Sequence, residues 1–140
     1  MSGDFIDTNV FVYLFDETDD RKRDIADRII QTALETGTGR ISHQVVQESL
    51  NVMIRKLPSP MTLENARRFL AQVLAPLWQI VPTIPIYRRG LDVQARYGFN
   101  FYDSLIISAA LESGCVRLYS EDLQHGQRIE GLTIENPFKD

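Results

Sequence analysis

Short apolar runs alternate with longer amphipathic stretches throughout this chain, and that order limits the possible folds more than any other feature. Residues 4–6 read as a strand, followed by a short helix from Asn9 to about Phe15. In "DDRKRDIADRIIQTALETG" (19–37), Ile25, Ile29, Ile30 and Leu34 fall at helical spacing and Gly37 supplies the stop. "GRIS" (39–42) is a second strand. Ser42 is placed to cap a helix over 43–57 with an apolar stripe of Val45, Val46, Leu50, Met53, Ile54 and Leu57. A helix over 63–74 follows, then "PLWQIVP" as a third strand with Trp78 in the core, and a helix ending at Gly98. "YDSLIISAALESG" is an apolar helix, "CVRLYS" a fourth strand, and "LTIENP" a weaker fifth strand at an edge.

Strands separated by helices pair in parallel through right-handed crossovers. The expected fold is therefore α/β: a three-layer α/β/α sandwich around a central, mostly parallel sheet of four or five strands. Sites in such folds lie beyond the carboxyl ends of the strands, where strand order reverses. Asp7 and the "SED" of 120–122, which follow strands one and four, are the first places for chemistry.

A chain of 140 residues reads as a single domain, 1–140, burying roughly two thirds of its unfolded surface. Apolar residues at 44% and charged residues at 24% fit a globular chain and exclude disorder. The lone Cys115 reads as a small buried hydrophobe, which fits a reducing compartment. With no signal-like start and no bilayer-length apolar run, the expectation is a cytoplasmic protein that begins at Met1 and has no membrane contact. A net charge of −4 disfavours nonspecific coating of nucleic acid. "RKR" (21–23) and "RR" (88–89) are still local basic clusters, read first as solvated helix faces.

Four carboxylates stand in awkward places. Asp103 precedes Ile106, Ile107 and Ala110 by three, four and seven residues, which sets a charge on the apolar side of its helix. Burying it unpartnered costs several kcal/mol, whereas a first-turn position near the helix dipole would account for it cheaply. Glu48 flanks its helix's stripe and, alone, reads as a boundary residue. Asp7 could as well cap a helix, and Asp122 could serve a turn. The fold brings these acids toward one edge, and clustered carboxylates require shared protons or a hard cation. Oxygen ligands without a consistent His or Cys set point to Mg²⁺ or Mn²⁺, whose chemistry suits phosphodiester hydrolysis.

"FIDTNVFVYLFD", "SHQVVQESLNVM", "YGFNFYDSLIISAAL" and "LYSEDLQHGQRIEGLTIENPF" resemble, in order and content, the motifs of PIN-domain proteins, especially the VapC-type ribonuclease toxins of type II toxin–antitoxin systems. The resemblance spans nearly the whole chain; its specificity lies in the ordered set of acids. It implies a PIN-like fold and a metal-dependent endoribonuclease in which Asp7, Glu48, Asp103 and Asp122 match the four acidic positions. Asp7 and Asp103 would be direct Mg²⁺ ligands, with Glu48 and Asp122 completing the metal site or positioning water. Thr8, Asn9 and Ser120 match the supporting polar residues, capping passing to Thr8 and Asn9 so that Asp7 faces the ion. Glu121 competes with Asp122, which the family spacing favours. The resemblance also implies an RNA substrate, a homodimer, and a small antitoxin whose tail enters the acidic groove. Arg88, Arg89 and Arg96 are candidate RNA contacts.

His43 and His125 match no zinc spacing and read as capping or solvent-facing residues. Phe101 and Tyr102 read as packing residues, with base stacking a lesser alternative. Two other functions compete: a catalytically silent PIN-like scaffold that binds RNA or protein, and a receiver-type phosphoacceptor. The latter needs a lysine near the end of a late strand, whereas lysines occur here only at 22, 56 and 139.

Overall fold

The structure, a computed structural model, describes residues 3–140. Its elements in order are β1 (Gly3–Ile6), α1 (Thr8–Tyr13), α2 (Asp20–Thr36), β2 (Gly39–Ser42), α3 (His43–Asn51), α4 (Leu63–Phe69), α5 (Ala75–Leu77), β3 (Trp78–Ile80), α6 (Ile84–Tyr97), α7 (Phe101–Glu112), β4 (Cys115–Tyr119), β5 (Arg128–Ile129) and β6 (Leu132–Glu135). The sheet order is β3-β2-β1-β4-β6-β5 and every pairing is parallel except β5 with β6. The chain builds outward from β1 to β2 and β3, then crosses back to place β4 on the other side of β1. That reversal is the switch point. Right-handed crossovers put α1, α2 and α3, with α1 packed on both of the others, on one face and the packed pair α6 and α7 on the other. This is the three-layer α/β architecture expected.

Central strands bury both faces, as parallel strands between helical layers do. Phe5 and Ile6 of β1, neighbours that point to opposite faces, are both fully buried, together with Ile41, Leu118 and Ile134. Glycines at φ 70° and 79° close α2 and α6, at Gly37 and Gly98, where the sequence marked both stops. Gly39 lets α2 lie close on β2: a methyl group there would stand 2.5 Å from the Ala33 methyl.

The sheet has six strands rather than four or five. "LTIE" is not the edge: β6 lies between β4 and a two-residue β5, joined by a tight turn through Glu130 at φ 55°. Trp78 is not core. It lies on β3, the opposite edge strand, is 41% exposed, and donates its indole N–H to the Ile80 carbonyl at 3.1 Å. Leu77 and Ile80 take the buried positions beside it. Neither 43–57 nor 63–74 is an unbroken α-helix, because π-helical turns over Val52–Lys56 and Leu70–Leu74 follow α3 and α4. The first turn shifts the stripe, burying Met53 while leaving Ile54 exposed. Ser42 is the N-cap residue of α3, but its buried hydroxyl makes no hydrogen bond.

Candidate active site

The carboxyl ends of β1 and β4 are tied together by the Asp7 N–H, which donates to the Tyr119 carbonyl at 3.0 Å, and the Ser120 N–H donates in turn to the backbone carbonyl of Glu135 of β6 at 3.0 Å. Asp7 follows β1 and Asp122 follows β4, while Glu48 comes from α3 and Asp103 from the first turn of α7. All four carboxylates line one cleft of about 440 Å³, with Thr8 and Asn9 between them.

Asp7 is the buried member of the set, only 7% exposed. One carboxylate oxygen accepts the Thr8 N–H at 2.8 Å and the other accepts the Ser120 hydroxyl at 2.8 Å. Burial nevertheless pushes Asp7 up to about 7, against those two hydrogen bonds and with added repulsion from Glu48 and Asp122. Asp7 is itself the N-cap of α1, so capping does not pass to its neighbours. Thr8 donates its hydroxyl to Glu48 at 2.8 Å, and Asn9 donates its amide to Asp122 at 3.1 Å while accepting the Glu121 N–H at 3.3 Å. Ser120 accepts the Asp122 N–H at 3.2 Å, so one hydroxyl holds the Asp7 carboxylate and the Asp122 backbone.

Asp103 is half-buried, and burial followed by the Asp122 charge raises it above the usual carboxylate range, opposed by Asn100. Asp103 lies in the first turn of α7, the placement that accommodates an acid cheaply. Asn100 caps α7, accepting the Asp103 N–H at 2.8 Å and donating to the Asp103 carboxylate at 2.9 Å. No single apolar stripe lies beneath Asp103, since α7 is buried on every side from Ser104 to Ala110. Asn100 was legible as an Asx cap three residues before an acid but was not singled out.

Glu121 turns away from this cleft. It accepts from Lys22 Nζ at 2.6 Å and from the Tyr13 hydroxyl, while Lys22 sits 4.7 Å over the Tyr13 ring. The basic clusters are likewise engaged elsewhere. Arg21 pairs with Asp140, Arg23 with Asp20, and Arg89 with Glu112 and Glu130, while Arg96 lies over the Tyr97 ring. Neither they nor Arg88 lines the cleft, whose one cationic lining residue is Lys56, on the π turn beyond α3. Phe101 and Tyr102 are exposed and pack edge to face on each other beside the cleft rather than in it. His125 accepts the Asn136 N–H at 3.0 Å, and His43 is held below its usual range by burial.

Among the described residues, no three His, Cys, Asp or Glu side chains stand close enough to enclose an ion by themselves. The acids line an open rim. Their donor chemistry, carboxylate oxygens flanked by hydroxyls and amides with no His or Cys, still fits a hard divalent cation.

An α/β domain with a carboxylate-lined cleft at its switch point belongs to the class whose chemistry sits on the carboxyl edge of a parallel sheet. The PIN-domain family model matches residues 5–128, and this chain belongs to the PIN-domain family. No curated protein sequence matches it. Solved structures with the same fold include a toxin–antitoxin complex from Klebsiella pneumoniae, at TM-score 0.71 and 18% identity, covering 96% of this chain and 98% of that one. VapC20 of Mycobacterium tuberculosis, a sarcin–ricin loop cleaving toxin, aligns at TM-score 0.60 and 18% identity over 84% and 88% of the two chains. FitAcB from Neisseria gonorrhoeae aligns at TM-score 0.65 and 17% identity over 96% and 98%. At these identities the likeness is one of fold.

Proposed function

We propose that this PIN-domain chain is a Mg²⁺- or Mn²⁺-dependent endoribonuclease and the toxin of a toxin–antitoxin pair. The observation that carries the reading is a buried Asp7 oriented by Ser120, facing a cleft that also presents Glu48, Asp103 and Asp122. Asp7 and Asp103 would hold the ion, which when bound supplies charge neutralisation of the phosphate and an acidified water. Glu48 and Asp122, each held by one neutral donor at the cleft rim, would complete the ion's shell or orient the attacking water. Ser120 and Thr8 hold the Asp7 lone pairs fixed, so the carboxylate is oriented before substrate arrives.

The fold shared with a toxin that cleaves the sarcin–ricin loop supports an RNA substrate, and the fold shared with a toxin–antitoxin complex supports a small antitoxin partner. An Arg from that partner would satisfy the same carboxylates. Ile84, Tyr87 and Leu91 recur on one exposed face of α6, near exposed Trp78 and Val81, which supports a homodimer. No helix among the described residues is long and apolar enough to cross a membrane, in keeping with a cytoplasmic role.

The open spacing of the acids also suits a PIN scaffold that binds RNA without cutting it. Incubating an RNA pool with Mg²⁺ or Mn²⁺ separates the two: wild type should cut and Asp7→Asn and Asp103→Asn should not. Metal-independent cutting, or none, sinks the nuclease reading. A receiver-type phosphoacceptor is not favoured, since Lys56 reaches the cleft from a helical turn rather than a late strand.

A further inference from the structure

We infer that Lys56 grips the RNA phosphate next to the one being cut; the inference rests on the ribonuclease reading and names how that site holds its substrate. Four carboxylates repel a polyanion, so a cation must offset them where the strand passes. Lys56 is the one cation lining the acidic cleft, and among the described residues no carboxylate stands within salt-bridge distance of it.

Lys56 also lines a second, larger trough of about 700 Å³, whose walls include Leu14, Phe15, Leu57 and Met61. Val12, Val52 and Lys56 belong to both cavities and so form the seam between them. A polymer held at the acids must continue beyond them, and the trough, mostly apolar though Asp16 and Glu17 also line it, offers room for the flanking nucleotide, with Phe15 as an aromatic wall. The phosphate linking the two nucleotides would then cross the seam. Arg23, the other cation along the trough, is held by Asp20 at 2.6 Å and by the Asp16 carbonyl at 3.2 Å.

The backbone explains why Lys56 reaches this place. A continuous α-helix would leave it about 80° round the axis from Glu48, eight residues earlier. The wider π turn over Val52–Lys56 advances less per residue and turns Lys56 back toward the Glu48 side. Lys56 therefore faces the site only because the helix is irregular there.

The test uses Lys56→Met and Lys56→Arg. In the Asp103→Asn background with chelator, Lys56→Met should weaken binding of labelled single-stranded RNA about tenfold and lower the slope of log K against log salt by about 0.7. Lys56→Arg should retain both. With Mg²⁺ and active protein, KM should rise with kcat little changed, as loss of uniform binding requires. Melting temperatures matching the parent chain exclude a folding defect. The inference is overturned by an unchanged salt slope, by no RNA binding in the Lys56 protein, or by a fall in kcat alone. Failure of wild type to cut RNA would overturn the nuclease reading instead, since the binding arm needs no cleavage.

Discussion

Ser120 donates its hydroxyl to Oδ2 of Asp7 at 2.8 Å across 113 residues of chain, and the Ser120 hydroxyl oxygen itself accepts the Asp122 N–H at 3.2 Å. One buried hydroxyl thus links the acid after β1 to the acid after β4. Ser120→Ala should lower metal-dependent cleavage by about 10–100-fold, as loss of a supporting partner does. It should also shift the pH–rate profile to higher pH, because the lost hydrogen bond had been holding Asp7 down. A lower rate with an unmoved profile would mean that Ser120 acts on Asp122 alone.

Burial raises Asp7 from 3.8 to about 7, which makes the metal-free fold pH-dependent with a definite sign. Between those values the folded chain keeps a proton that the unfolded chain has released. Stability is therefore fullest below about pH 4 and falls as pH rises toward about 7, by on the order of a few kcal/mol for this group. Thermal melts from pH 4 to 8 in chelator, compared with Asp7→Asn, isolate the effect. The wild-type curve should fall relative to the variant's, and parallel curves would show that Asp7 ionises freely.

Asp7→Asn should accordingly abolish cutting while leaving the metal-free protein more stable than wild type at pH 8, by on the order of 1–3 kcal/mol. Denaturant melts and an RNA cleavage assay on the same preparation measure both. A variant that is inactive because it is unfolded would contradict this.

Millimolar Mg²⁺ should raise the wild-type melting temperature at pH 8 by a few degrees, since an ion that relieves carboxylate repulsion binds only the folded state. The shift should shrink in Asp103→Asn. Equal shifts in the two proteins would place the ion elsewhere.

Glu121 and Asp122 are adjacent in sequence but face different partners, Lys22 with Tyr13 and Asn9 with the cleft. Asp122→Asn should cut activity by at least tenfold. Glu121→Gln should keep most activity and cost about 1 kcal/mol of stability, because the Lys22–Glu121 pair is only partly shielded, at 26% exposure on each side. The reverse ranking would assign the ligand role to Glu121.

The β–α alternation determined the layered parallel fold, because side-chain periodicity and stop signals such as Gly37 and Gly98 are local properties. It also placed Asp7 and Asp122 at strand ends, since the switch-point rule needs only strand order. The ordered acids in "DTN", "QES", "YDS" and "SED" carried the family resemblance. Tertiary structure decided the rest. Trp78 lost its core place because β3 is an edge, which depends on the sheet's neighbours and not on the run around it. Lys56 entered the cleft through a π turn that the periodic pattern does not reveal, while Arg88, Arg89 and Arg96 were left outside it. The raised pKa of Asp7 likewise required the folded chain, since burial and the nearby Glu48 and Asp122 charges exist only once residues 41 and 115 positions away are brought beside it.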